Sequence, residues 1–121
     1  MGRQECRSER SRLVRPIHLV RLDKTRPALI LTREIVRPHL TQITVAPITS
    51  RIRGLTIEVP VGPSNGLDQD SVINCDNIVT VPTSAIGRQI GFLWREQEPL
   101  LSEAVRAAFD LWDEQDSPAL N

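Results

Sequence analysis

The chain has 121 residues, 40% of them hydrophobic and 25% charged, with a formal net charge of zero at neutral pH. That length bounds the reading to one domain with a modest core, and no apolar run is long enough to cross a bilayer, so the expected compartment is the cytoplasm. Zero net charge excludes a protein that holds nucleic acid by bulk charge alone, although basic residues crowd the front, from Arg3 to Arg26, and acids crowd the end, from Glu96 to Asp116.

Residues 1–14 carry Arg3, Arg7, Arg10 and Arg12 without an apolar stretch, which reads as a disordered basic arm and not as a secretory signal. A single domain is expected over residues 15–113, followed by an acidic tail over 114–121. Two cysteines, Cys6 and Cys75, are too few for a zinc site or a disulfide framework and are read as reduced thiols. From Pro16 to Leu93 short β-branched or aliphatic runs alternate with turn residues: Ile17 to Leu22, Ala28 to Thr32, Gln42 to Pro47, Leu55 to Val61, Ser71 to Cys75, Asn77 to Val81 and Gln89 to Leu93. This pattern predicts a mainly β (α+β) protein, a small SH3-like barrel of about seven strands. Pro27, Pro47, Pro60 and Pro82 are expected at strand ends or edges, where a missing N–H costs least. After Leu93 the apolar period lengthens to that of a helix, with Leu101, Ala104, Val105, Ala108 and Trp112 on one stripe and Pro99 in the first turn.

The residues most able to carry chemistry lie at two strand junctions, Thr25-Arg26-Pro27 and Pro47-Ile48-Thr49-Ser50. An arginine directly before a proline and a buried strand has a restrained backbone, and a restrained guanidinium can grip a phosphate through two parallel hydrogen bonds. Thr49 and Ser50 precede Arg51 and Arg53, so hydroxyl donors and guanidinium groups share one loop and form a plausible phosphate cradle. Arginines on strand ends and hydroxyls in turns are also ordinary surface chemistry, and both readings stand until the two junctions are shown to converge.

In order and spacing these elements resemble the MazF/PemK-like toxins. The resemblance runs from about Pro16 to Trp112 and is carried by Arg26-Pro27-Ala28-Leu29-Ile30-Leu31, Ala46-Pro47-Ile48-Thr49-Ser50, the segment Leu67 to Thr80, and the closing helix. It is nearest to mycobacterial members with a shortened first loop, here Asp23-Lys24-Thr25. It implies a MazF/CcdB-like fold and a homodimeric toxin of a type II toxin-antitoxin system. Such a toxin cleaves single-stranded RNA without a metal, leaving 2′,3′-cyclic phosphate and 5′-hydroxyl ends, and is neutralised by a MazE-like antitoxin. By the same resemblance Arg26 and Thr49 are the catalytic pair. Ser50 stands beside them, Asp76 and Asn77 contact bases, and Leu55 touches RNA. Arg51, Arg53, Thr25 and His39 complete the candidate RNA contacts. No cofactor and no metal are expected.

Other residues invite different chemistry. His18 and His39 suggest a ribonuclease-like acid and base, but His18 lies inside a strand. Asp68, Asp70 and Asp76 follow no cation-binding loop spacing. Phe92 and Trp94 could stack on a base, yet aromatics so scarce are more simply core or subunit-seam residues. The alternative function is a non-catalytic gyrase poison resembling CcdB, and a third is an inert SH3-like interaction module.

Overall fold

Alternation of apolar and polar residues yields seven strands in the computed structural model, which describes residues 14–111. They are β1 (Arg15–Arg21), β2 (Thr25–Ile30), β3 (Gln42–Thr49), β4 (Glu58–Val61), β5 (Ser71–Asn74), β6 (Val79–Pro82) and β7 (Ile86–Leu93), followed by helix α1 (Glu98–Phe109). All pairings are antiparallel, in the order β4-β5-β3-β2-β1-β7, with β6 also on β3. The sheet is a curled half-barrel closed on one side by the helix. The arm before Val14, Cys6, the stripe residue Trp112 and the acidic tail lie outside the described residues.

The alternating side chains of one sheet build two cores, because successive residues of a strand point to opposite faces. Ile17, Leu29, Ala46, Ile48, Val59, Ile73 and Leu93 meet Leu101 and Ala104 of α1 in the larger cluster. Val20, Ala28, Ile30, Ile43, Val45, Val81 and Ala85 form a smaller cluster on the other face. Arg15 ties the helix start to the sheet, since its Nε donates to Glu98 at 2.9 Å while its other arm donates to the Leu31 carbonyl at 2.9 Å.

Strand β3 is longer than the sequence pattern suggests and runs through Pro47 to Thr49. One edge of it is shared: β6 pairs from Gln42 to Val45, and β5 takes over at Ile48 and Thr49. Pro47 falls in the gap between these two ladders, where its missing N–H deprives no partner. Pro27 does the same on the neighbouring strand. The β2–β3 register ends at Ala28 opposite Pro47, and the next hydrogen-bonded position on β2 would be Pro27, which has no donor. The prolines therefore lie inside strands but at ladder ends, and β3 is free to leave β2 for β5 beyond this point.

Two other runs differ from expectation for local reasons. The 55–61 run becomes a strand only from Glu58, because the preceding loop amides bond to the Glu58 carboxylate. The Ser71 to Cys75 run, separated as expected from the one that follows it, stops at Asn74 because a 3-10 turn takes Cys75–Asn77 and opens with the Asp76 N–H donating to Asn74 Oδ1 at 2.9 Å. A buried polar knot secures the other end of the sheet. Asn65 Oδ1 accepts the Gly62 N–H, and its amide donates to the Phe92 carbonyl and to Gln97 Oε1 at 2.8 and 2.7 Å. The backbones of residues 65 and 91 are so close that a Cβ on Gly91 would lie 1.8 Å from the Asn65 carbonyl oxygen.

Candidate active site

The two strand junctions singled out in the sequence line one groove of about 590 Å³. The pleat explains why. Ala28 faces Pro47, so Arg26 and Thr49, two residues further out on the same face of each strand, stand opposite each other where the ladder has parted. Asn77 reaches the same groove from the 3-10 turn after β5, and Arg51 and Arg53 from the loop after β3. The apolar part of the lining is Leu22, Pro47, Val79 and Val81.

Four arginines line the groove (Arg21, Arg26, Arg51 and Arg53) against two carboxylates, Asp23 and Glu58. Both acids are already engaged with the protein. Asp23 receives the Arg26 Nε at 3.1 Å and one terminal nitrogen at 3.0 Å, a two-pronged pair across the short β1–β2 turn. That Arg26 hydrogen bond, with a second from the Lys24 backbone, holds the Asp23 carboxyl below the ordinary carboxylate range. The Arg26 side chain keeps 30% of its surface exposed, so the guanidinium is anchored along one edge and open on the other. Thr49 Oγ1 accepts the Arg51 N–H at 3.1 Å. That bond takes one of the two acceptor lone pairs of the hydroxyl and does not use its proton, which can donate.

The remaining sequence candidates lie outside the groove lining. Thr25 opens β2 beside Arg26, Ser50 follows Thr49, and Leu55 and Asp76 are exposed; none of them lines the groove itself. His39 lies in the 3-10 turn between β2 and β3, at the far end of that hairpin and roughly 20 Å along the strand from Arg26. His18 is committed elsewhere, since its Nδ1 bonds the Gly87 carbonyl at 2.8 Å. Among the described residues no three His, Cys, Asp or Glu side chains gather as metal ligands, Asp68, Asp70 and Asp76 included. Cys75 is buried, and burial with the nearby Asp76 charge pushes its thiol up to about 11, which leaves it a packing residue.

Sequence reasoning missed Arg21, Asp23, Glu58 and Asn74 as groove residues. For Asp23 a signal was present, an acid three residues before an arginine across a tight turn. For Glu58 there was none, because its partners are main-chain amides.

Residues 17–109 match the family described as PemK-like, MazF-like toxin of type II toxin-antitoxin system. The chain belongs to this family. Endoribonuclease MazF3 of Mycobacterium tuberculosis is 62% identical to this member over 98 residues, covering 81% of this chain and 95% of the relative. Probable endoribonuclease MazF5 of the same organism is 31% identical over 86 residues, 70% of this chain and 79% of the relative. Among solved structures, Mycobacterium tuberculosis toxin MazF-mt6 superposes with a TM-score of 0.81 at 62% identity, covering 82% of this chain and all of that one. A mycobacterial endoribonuclease in complex with its cognate antitoxin shares the fold, with a TM-score of 0.72 at 24% identity over 81% of this chain and 95% of that one. Neither the family match nor these relatives favour the CcdB-like reading. Among the described residues no helix of this MazF-like toxin is long and apolar enough to cross a membrane.

Proposed function

We propose that this chain is the endoribonuclease toxin of a type II toxin-antitoxin pair, acting as a cytoplasmic homodimer on single-stranded RNA. The observation that carries the reading is the shared groove of Arg26 and Thr49 in a member of the MazF-like family. RNA holds its own nucleophile: the 2′-hydroxyl attacks the adjacent phosphorus, the 5′-oxygen leaves, and a 2′,3′-cyclic phosphate and a 5′-hydroxyl result. A protein accelerates this by holding the attack geometry and by neutralising the phosphorane as charge develops on it.

Arg26 is suited to the second task. Its guanidinium presents a planar fork of N–H donors that matches phosphate oxygens, and Asp23 holds its position without covering its open edge. Thr49 donates its hydroxyl proton to a nonbridging oxygen. Arg51 and Arg53 hold flanking phosphates, and Asn77 meets a base edge with an amide that both donates and accepts. Asp76, Leu55, Ser50 and Thr25 extend the track along the rim. The excess of guanidinium over carboxylate also suits the acidic segment of a MazE-like antitoxin, which would occupy the groove in place of RNA.

The test is incubation of the purified protein with a long RNA in EDTA, followed by mapping of new ends. Discrete 5′-hydroxyl ends, abolished by added antitoxin, are the expected result. Intact RNA would refute the reading and leave a gyrase poison or an inert module.

A further inference from the structure

The loop between β3 and β4 carries two of the four groove arginines, yet every residue from 50 to 56 is exposed, and its only apolar anchor on the core, Ile57, lies at its far end beyond both of them. Gly54 stands in the left-handed region at φ +76°, and nothing lies within 4 Å of where its Cβ would be. A segment of this kind has little packing to set against its conformational entropy. Thr49 holds its start through the Arg51 N–H, and one side chain gathers its middle. Glu58 Oε1 accepts the N–H groups of Gly54, Leu55 and Arg53 at 2.8, 3.1 and 3.2 Å, and Oε2 takes the Arg53 N–H at 3.3 Å. The Glu58 N–H donates back to the Leu55 carbonyl at 3.1 Å, which closes the loop onto the start of β4. Consecutive amides converging on one anion form a nest, here filled by the protein's own carboxylate.

We propose that Glu58 is a positioning residue for RNA binding: its carboxylate clamps the 53–55 backbone and so holds Arg51 and Arg53 on the groove wall. The inference rests on the endoribonuclease reading above. It also runs against the simplest electrostatic expectation. A carboxylate in a groove built for a polyanion repels the substrate, so deleting it should tighten binding if charge alone mattered. The clamp requires the opposite sign.

Two variants separate these effects. Glu58→Ala removes charge and clamp together, and the expected result is a rise in KM of about ten-fold with kcat changed far less. Glu58→Gln removes the charge but keeps a carbonyl oxygen where Oε1 accepts three N–H groups, and its KM should stay at or below the wild-type value. Amide hydrogen exchange gives a readout that does not need activity. In the wild-type protein the N–H groups of Arg53, Gly54 and Leu55 should exchange more slowly than that of Ile52. Protection should vanish in Glu58→Ala and persist in Glu58→Gln, with the Val59 and Ile73 amides unchanged as the control for folding. An unchanged or lower KM in Glu58→Ala, equal losses in both variants, or unprotected 53–55 amides in the wild type would each overturn the proposal. If the wild type itself leaves RNA intact, the functional reading falls instead.

Discussion

Replacing Arg26 tests the proposed chemistry most directly, because the structure separates its electrostatic role from any structural one. The side chain belongs to neither apolar cluster, and it pairs with the exposed Asp23 carboxylate. Arg26→Ala should therefore leave stability within about 0.5 kcal/mol of wild type, the usual range for a surface substitution. The chemical step should respond very differently. Removing one preorganised donor from a site of developing charge costs about 10²–10³ in kcat, or roughly 2.7–4 kcal/mol. The alanine variant loses every guanidinium donor at once, so a fall of at least that size is expected. Arg26→Lys restores a positive charge but not the planar fork, and should recover only part of the rate. Single-turnover cleavage of a short RNA in EDTA gives the rates, and urea unfolding of the same preparations gives the stabilities. Cleavage by Arg26→Ala at a rate within a few-fold of wild type would refute the assignment.

Thr49→Ala should lower kcat by more than it raises KM, since the hydroxyl is assigned to the transition state and not to ground-state binding; equal effects on both would reduce Thr49 to a binding residue. Asn65→Ala leaves the Gly62 N–H and the Phe92 carbonyl without the Asn65 amide, while Gln97 Oε1 keeps only the Trp94 N–H, and should destabilise the fold by about 3 kcal/mol in urea unfolding. A loss below 1 kcal/mol would show that water replaces the amide. Cys75, examined in a Cys6→Ser background, should resist alkylation at pH 8 unless the protein is first unfolded, because burial raises its thiol from 9.0 to about 11. The sign of the linkage follows from the folded state binding that proton more tightly: the contribution to stability is complete below pH 9 and is lost as pH rises toward 11. Rapid modification of the folded protein would contradict the burial.

Much of this molecule was legible in the residues themselves. Alternation at period two placed all seven strands to within a few residues, and the longer period after Leu93 placed the helix, because burying one face of an element imposes its repeat on the chain. Arg26 and Thr49 stood out for similar reasons, as polar groups directly bordering apolar strands and prolines. Even the misread strand ends had a local cause, in that Pro27 and Pro47 mark where ladders stop and not where strands do.

Tertiary structure alone decided that the two junctions face one groove, since Ala28 meets Pro47 through a pairing that no local pattern specifies. It decided which acids enter that groove and how each is held. Asp23 turns onto Arg26, and Glu58 turns back onto three amides of the loop before it. It also decided that β5 and β6 share one edge of β3, which brings Asn77 to the opening between them. Periodicity records which face of an element is buried, whereas register and side-chain to main-chain bonds depend on where the rest of the chain arrives. The chemistry of this groove is set by the second kind of information.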